Sequence, residues 1–205
     1  MSSDGRALAI LLSGRGSNFV AIADRIRSGD LQARIEVVIS NKADARGLAA
    51  AAERGLHTVF LDPKAHPDRV AYDVAVAREI QERGVDLICL AGWMRILSPE
   101  FVRMFRGRML NIHPALLPSF PGLHAQKQAL DYGVKISGCT VHFVDEGVDT
   151  GPIVIQQAVN VLNEDTEETL SARILKKEHD TYWRAIDLVL RGKVAIDGRR
   201  TVIRP

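Results

Sequence analysis

An asparagine and a histidine separated by one residue, Asn111 and His113, are the side chains in this sequence best suited to chemistry. They stand at the end of a short apolar run, residues 108–112, and three prolines among residues 113–121 prevent a strand or helix from continuing. Because side chains alternate faces along a strand, the two should project together. An amide N–H and a protonated imidazole both donate to an oxygen that is gaining negative charge, so the pair suits oxyanion stabilisation. A lone Asn-x-His is nevertheless more often a strand-end histidine with no chemical role.

A glycine turn, Gly14-x-Gly16, lies between the first apolar run and a helical pattern. In that position the backbone N–H groups from Gly16 to Asn18 would point at a ligand above the helix N-terminus. The turn lacks the third glycine of a dinucleotide fingerprint and the Gly-Lys-Ser/Thr of a nucleotide P-loop, so a single phosphate fits best. The alternative is a plain turn between a strand and a helix.

An acidic connection, Asp145 to Gly151, joins the last two predicted strands. By default such a connection is a solvated hairpin, and its spacing does not match a calcium-binding EF-hand loop. If the loop packs near His113, however, a carboxylate there would hold the imidazolium and help to move protons. Spacing alone does not decide between these interpretations.

The elements that would position these residues alternate between strand and helix patterns in the first half of the chain. Continuous apolar runs such as Ala7–Leu12 are typical of parallel strands covered on both faces. The sequence therefore predicts an α/β fold, a Rossmann-like doubly wound and mostly parallel sheet whose ligands lie at the carboxyl ends of the strands. The short connection between the last two strands predicts an antiparallel carboxy-terminal portion, and a long helix closes the chain. The predicted strands are 7–12, 34–39, 57–61, 86–90, 108–112, 135–145 and 153–161, and the predicted helices are 19–27, 44–54, 68–83, one starting at 98–100, 126–132 and 169–190.

The composition is that of an ordinary globular protein, with 46% hydrophobic and 25% charged residues and a net charge of +2. Such a charge balance does not suggest a nucleic-acid or membrane surface. The two cysteines, Cys89 and Cys139, lie in apolar runs without metal-ligand spacing, so we expect reduced core residues in a cytoplasmic protein. No linker or repeat interrupts the chain, and we expect a single domain over residues 1–205.

Several longer motifs carry a family resemblance. The stretch 111–118, followed by 138–143 and then by Asp149-x-Gly151, resembles the formyltransferase family that uses 10-formyltetrahydrofolate. Residues 13–18, 40–45, 91–98 and Glu178-His179 make the chain similar to the members of that family that act on glycinamide ribonucleotide in purine biosynthesis. The motifs occur in the right order and cover nearly the whole chain.

The resemblance implies that the formyl group of 10-formyltetrahydrofolate, a cosubstrate, passes to the amine of glycinamide ribonucleotide, with no metal. Asn111, His113 and Asp149 fall on the family's catalytic trio. The Gly14–Asn18 loop would bind the ribose phosphate in the first half of the chain, about 1–100, and the second half, about 101–205, would bind folate and catalyse transfer. The implied ligands for glycinamide ribonucleotide are Gly14, Arg15, Gly16, Ser17, Asn18 and Glu178, and those for folate are Met94, Arg95, Ile96, Leu97, Val144, Asp145, Glu146, Gly147 and Val148.

Two features are left open by the resemblance. Family members often place a polar phosphate contact three residues before the glutamate, where this chain has Leu175, and Lys176 or Lys177 would point elsewhere on a helix. His142 is interpreted as a hydrogen-bonded strand histidine, with a role in the site as the alternative. We expect small-molecule substrates, no nucleic acid or membrane partner, and a monomer or a homodimer.

Three alternative functions are compatible with the same motifs. A formyltetrahydrofolate deformylase is expected to carry an additional amino-terminal domain, and methionyl-tRNA formyltransferase an additional basic carboxy-terminal one. A non-catalytic phosphate- or folate-binding protein would have no need for all of Asn111, His113 and Asp149. The sequence therefore favours the transferase.

Overall fold

The computed structural model describes residues 6–204, which form two compact units that divide between Leu110 and Asn111. In the first unit, apolar runs form strands that the helices cover; Ala7 to Leu12, for example, have no exposed surface. The fifth strand begins at the end of this unit. The elements up to that point are β1 (Arg6–Leu12), α1 (Ser17–Arg27), β2 (Ala33–Ser40), α2 (Arg46–Glu53), β3 (Thr58–Phe60), a short 3-10 helix (Pro63–Ala65), α3 (Arg69–Gln81), β4 (Leu87–Leu90), α4 (Pro99–Met104) and β5 (Met109–His113).

The strands of the first unit pair in parallel. β1 pairs with β2 on one side and with β4 on the other, and β3 pairs with β2. The chain therefore runs outward from β1 through β2 to β3 and then returns to the opposite side of β1. This reversal places the topological switch point between β1 and β4, where the loops after the two strands are neighbours and where doubly wound folds bind ligands.

Helix starts in this unit follow the local sequence signals. The side chain of Asp68 accepts the backbone N–H of Ala71 at the start of α3. Ser98 likewise accepts from Phe101, and Pro99 takes the first helical position of α4. The predicted start at Ser98-Pro99 is therefore confirmed, and it ends the loop after β4 at a fixed point.

The second unit contains an antiparallel strand pair and the longest helix. β6 (Ile136–Phe143) and β7 (Ile153–Asn160) pair antiparallel, as predicted. α6 (Glu167–Leu190) packs on both strands, and Thr166 and Thr169 cap its start reciprocally. A short helix, α5 (Ala125–Tyr132), precedes β6.

Together β1 to β7 form a mostly parallel seven-stranded sheet in the order β3-β2-β1-β4-β5-β6-β7. The predicted α/β class with an antiparallel carboxy-terminal portion is confirmed. None of the helices described in residues 6–204 is long and apolar enough to cross a membrane. Cys89 and Cys139 are buried and form no disulfide among the described residues, as expected of reduced core residues, and burial raises the pKa of Cys139 to about 12.

Two predictions about the second unit are wrong. The strand predicted to reach residue 145 ends at Phe143, so the following residues belong to the acidic loop. The long helix does not close the chain, because a hairpin of β8 (Val194–Asp197) and β9 (Arg200–Ile203) follows it. The strands of this hairpin are short and half-exposed, and they lack the apolar alternation that marks a longer strand.

Candidate active site

Asn111 and His113 lie at the end of β5, as the apolar run predicted. His113 is 4% exposed and Ile112 is 7% exposed, while Asn111 is partly accessible. The alternation of the strand turns Asn111 and His113 to the same side, and both contact one carboxylate, that of Asp149.

Asp149 accepts hydrogen bonds on both of its carboxylate oxygens. Oδ2 lies 2.8 Å from the backbone nitrogen of Gly122 and 3.2 Å from Nδ1 of His113. Oδ1 lies 3.3 Å from the amide nitrogen of Asn111. Burial alone would raise the pKa of Asp149, but His142, the backbone N–H of Gly122 and His113 together hold it below its usual value. Asp149 is therefore an ionised carboxylate held against His113, and the solvated-hairpin alternative is wrong.

The loop that carries Asp149 is fixed by close backbone packing. Gly151 lies so near β6 that a Cβ there would be 1.8 Å from the carbonyl oxygen of Phe143. Within the loop, Asp145 accepts from the backbone of Gly147 and from the hydroxyl of Thr150. Asp149 itself has a φ of 55°, a left-handed conformation that aspartate adopts more readily than most residues. The geometry thus requires the glycine of the Asp149-x-Gly151 motif, and it suits the aspartate.

His113 has an oxygen acceptor at each ring nitrogen. Nδ1 faces Asp149, and Nε2 lies 2.8 Å from the backbone oxygen of Phe120, an arrangement that suits an imidazolium. Burial opposes the charged form more strongly, so the pKa of His113 is lowered despite the Asp149 carboxylate. The expectation that Asp149 holds His113 in its charged form is therefore wrong, because desolvation outweighs the attraction of the carboxylate.

His142 is a further member of this cluster, which the sequence left as an alternative. Its Nδ1 lies 2.8 Å from the backbone oxygen of Phe143, which can only accept, so Nδ1 carries a hydrogen. Its Nε2 lies 3.2 Å from the Asn111 amide nitrogen and 3.5 Å from Oδ1 of Asp149. A register irregularity between Val141 and His142 marks this point of β6, and such irregularities re-aim side chains. With a hydrogen on Nδ1, Nε2 is placed to accept from the Asn111 amide.

The predicted phosphate loop lies between β1 and α1 in the first unit. Within the described part of the chain no side chain caps α1, and Gly16 occupies the cap position with a φ of 73°. The N–H groups of Ser17 and Asn18 fall in the first turn, whose amides have no intrahelical partner. Gly16 has a second reason to be glycine, since a Cβ there would lie 2.6 Å from the Cα of Gly47. A Cβ at Gly14 would meet no atom of the described residues within 4 Å, and Arg15 is exposed.

The segment predicted to line the pterin pocket follows β4. Met94 is 65% and Ile96 is 62% exposed, whereas Leu97 is buried and the Arg95 guanidinium lies 4.6 Å from the ring centre of Tyr72. Buried Leu97 and the contact between Arg95 and Tyr72 therefore hold this segment, while the large apolar side chains of Met94 and Ile96 face outward. That arrangement suits contact with a flat aromatic ligand.

The remaining predicted binding residues lie in the second unit. The segment 144–148 forms the first part of the acidic loop, and Val148 is 49% exposed. Glu178 is buried on the inner face of α6, where its charge contributes to the raised pKa of Cys139. Lys176 and Lys177 are exposed beside the half-buried Leu175. Among residues 6–204, no three His, Cys, Asp or Glu side chains are arranged to hold a metal ion.

Three comparisons with known proteins identify relatives of this chain. A family model described as formyl transferase matches residues 6–186. Phosphoribosylglycinamide formyltransferase of Escherichia coli is 41% identical over 200 residues, covering 94% of each chain. The crystal structure of glycinamide ribonucleotide transformylase 1 from Symbiobacterium toebii has a TM-score of 0.97 and 50% identity, with 98% of this chain and 95% of that chain covered.

A longer relative is similar over one part of its length. The trifunctional purine biosynthetic protein adenosine-3 of Drosophila pseudoobscura is 51% identical over 194 residues, which are 94% of this chain and 14% of the relative. This chain thus spans about a seventh of the length of that relative. The family match, which contains Asn111, His113 and Asp149, shows that the chain belongs to the formyl transferase family.

Proposed function

We propose that this chain is a phosphoribosylglycinamide formyltransferase, which transfers the formyl group of 10-formyltetrahydrofolate to the amine of glycinamide ribonucleotide. The products are formylglycinamide ribonucleotide and tetrahydrofolate, and the reaction belongs to de novo purine biosynthesis. The observation that carries the proposal is the Asp149 carboxylate with Asn111 and His113 as its partners at 3.3 and 3.2 Å. Such a group of donors, held by an ionised acid, is what acyl transfer to an amine requires.

The reaction begins when the amine nitrogen attacks the formyl carbon and the carbonyl oxygen becomes an oxyanion. The Asn111 amide and the His113 imidazole act as donors to this oxygen, and each such donor contributes on the order of a hundredfold in rate. The bond from the formyl carbon to the folate nitrogen then breaks. The proton lost by the amine passes to that nitrogen, with Asp149 acting as acceptor and donor through water.

The lowered pKa of His113 fits a role in the transition state better than one in the ground state. In the ligand-free chain the ring is mostly neutral at neutral pH, because burial disfavours its charge. An oxyanion forming next to the ring raises its pKa, so the ring takes up a proton from solvent water and returns it when the oxyanion collapses to the carbonyl. His113 therefore stabilises charge as that charge develops, and it binds the uncharged formyl group weakly beforehand.

The proposal assigns ligand contacts to the loops after β1 and β4 in the first unit, and separately to residues of the second unit. The first turn of α1 and Arg15 bind the ribose phosphate, and Glu178 binds the glycinamide end. In the first unit, Met94 and Ile96 contact the pterin with their exposed side chains. In the second unit, residues 144–148 contact folate through their backbone. The prediction that residues 1–205 act as one formyltransferase domain is part of this proposal, as are a cytoplasmic location and a monomeric or homodimeric state.

The proposal is tested by the acceptor dependence of folate turnover. Purified protein is mixed with 10-formyltetrahydrofolate, and tetrahydrofolate formation is followed with and without glycinamide ribonucleotide. We expect turnover only with the amine present. Equal turnover with water as the acceptor would support the deformylase, and binding of both ligands with no turnover would support the non-catalytic binding protein.

A further inference from the structure

Ser13 joins the two loops at the switch point of the first unit. It follows β1 directly and is 4% exposed. Its backbone nitrogen donates to the oxygen of Gly92 at 2.9 Å, and its hydroxyl oxygen accepts from the backbone nitrogen of Met94 at 2.8 Å. One buried residue thus makes hydrogen bonds to both sides of Trp93 in the loop after β4.

The two joined segments are those to which the proposed function assigns different substrates. Ser13 immediately precedes Gly14, the first residue of the proposed phosphate loop. Met94 is the first residue of the proposed pterin segment, and its side chain is 65% exposed. Since that side chain packs little against the protein, Met94 is held through its backbone, and the hydrogen bond to Ser13 is one of the contacts that hold it.

The hydroxyl of Ser13 can be separated from its backbone contact. The bond from the Ser13 nitrogen to Gly92 does not depend on the side chain, so it persists in any variant other than proline. Removing the hydroxyl leaves the Met94 N–H without this acceptor. A buried amide without an acceptor is destabilised unless the segment shifts to find water.

We propose that Ser13 is a positioning residue that fixes the pterin segment and couples folate binding to phosphate-loop occupancy. The inference rests on the proposed function, because that function assigns the two ligands. A phosphate bound above Gly14 to Asn18 restrains the loop that follows Ser13. The hydrogen bond from the Met94 N–H to the Ser13 hydroxyl extends this restraint to the backbone of Met94. By thermodynamic reciprocity, a bound folate must strengthen ribonucleotide binding by the same factor.

The test compares Ser13→Ala, which lacks the hydroxyl, with Ser13→Thr, which restores it. In Ser13→Ala we expect the KM for 10-formyltetrahydrofolate to rise about 3- to 10-fold, the range of one lost hydrogen bond, with little change in kcat. Calorimetry should show that ribonucleotide binding without folate is unchanged and that the mutual strengthening of the two ligands is reduced. Ser13→Thr should recover most of both effects. Should Ser13→Ala not fold, Ser13→Cys, with a weaker acceptor of similar size, takes its place.

A measurement without ligands separates this inference from the proposed function. Amide hydrogen exchange at Met94 should be faster in Ser13→Ala than in the wild type, whatever reaction the protein catalyses. Unchanged exchange at Met94, or an unchanged folate KM together with unchanged coupling, would overturn the role of Ser13. If Ser13→Ala exchanged faster at Met94 but the wild-type protein transferred no formyl group, the role of Ser13 in holding Met94 would stand. The assigned function would then be rejected.

Discussion

Asp149 is the residue on which the geometry of the site converges. It receives a backbone N–H from Gly122 and side-chain contacts from Asn111, His113 and His142. The loop conformation makes all of these contacts while Asp149 has a positive φ. Its charge therefore has a structural as well as a chemical effect, and a substitution must separate the two.

The substitution Asp149→Asn removes the charge while keeping the shape. Asparagine adopts positive φ readily and its oxygen can still accept from Gly122, so the loop should persist. The amide cannot accept the proton of the attacking amine, and without the carboxylate the pKa of His113 falls further. We expect kcat to fall about a hundredfold or more, with dissociation constants nearly unchanged and with partial recovery at lower pH, as measured by steady-state kinetics and calorimetry.

The matched control for this substitution is Asp131→Asn. It makes the same carboxylate-to-amide change at an exposed position on α5, where Asp131 pairs only with Lys127 in the contacts described. We expect wild-type kinetics from this control. An Asp149→Asn enzyme with near-normal kcat at neutral pH would show that the carboxylate takes no part in catalysis.

Among individual residues, the sequence motifs predicted Asn111, His113 and Asp149. They did not predict the lowered pKa of His113. Asn-x-His at a strand end and Asp149-x-Gly151 after a long strand are local patterns that a sequence displays. The lowered pKa of His113 depends on burial, and burial is produced by neighbours far apart along the chain. The contact of His142 with Asn111 depends on the register irregularity in β6, which no residue pattern in that strand marks.

The loop between β1 and α1 contains two glycines, Gly14 and Gly16, whose surroundings differ. Gly16 has a positive φ and approaches Gly47, so its glycine is required by the fold. Gly14 has open space around its Cβ position among the described residues. A binding phosphate would occupy such space, so only Gly14 reports on the ligand without disturbing packing.

This difference predicts opposite outcomes for two alanine substitutions. Gly14→Ala should leave the free energy of unfolding nearly unchanged and weaken glycinamide ribonucleotide binding, with folate binding intact. Gly16→Ala should lower the free energy of unfolding by about 1 to 2 kcal/mol or more, because Gly16 has a positive φ and lies against Gly47. The same substitution should weaken the binding of both ligands. Denaturant unfolding and calorimetry measure both quantities. If Gly14→Ala bound the ribonucleotide normally, the turn would be a plain strand-to-helix connection.

The elements themselves followed largely from the sequence, with their ends as the main differences. Continuous apolar runs predicted β1, β2 and β4 because strands covered on both faces have few polar positions. Helix starts at Asp68 and Ser98 followed from capping side chains. The β8–β9 hairpin was missed because its strands are short and half-exposed, and its contact with β7, through the Thr201 hydroxyl and the oxygen of Ile153, is long-range.

For the whole molecule, two histidines with lowered pKa predict a loss of stability in acid. Burial lowers the pKa of both His113 and His179, and Nε2 of His179 is buried without a hydrogen-bond partner in the described residues. Below the unfolded pKa of about 6.5, the unfolded chain takes up protons that the folded chain does not. The free energy of unfolding should therefore decrease as pH falls from 7.5 to 5.5.

The substitution His179→Leu isolates one of the two contributions. It removes a titrating group and a buried unpaired nitrogen together, so the variant should be about as stable as the wild type at pH 7.5 and lose less stability by pH 5.5. Thermal unfolding at the two pH values provides the comparison. A loss between pH 7.5 and 5.5 as large as that of the wild type would show that His179 does not contribute. Asp149, whose pKa is lowered, stabilises the fold above about pH 3.8 and so cannot cause a decline in this range.

The fate of the formyl carbon tests the proposed function most directly. 10-Formyltetrahydrofolate labelled with carbon-13 in its formyl group is incubated with the protein and glycinamide ribonucleotide, and the products are identified by carbon-13 NMR. We predict that the label appears as a formamide on the ribonucleotide at a rate that Asp149→Asn reduces about a hundredfold or more. Label recovered as free formate, or a transfer rate unaffected by Asp149→Asn, would contradict the account.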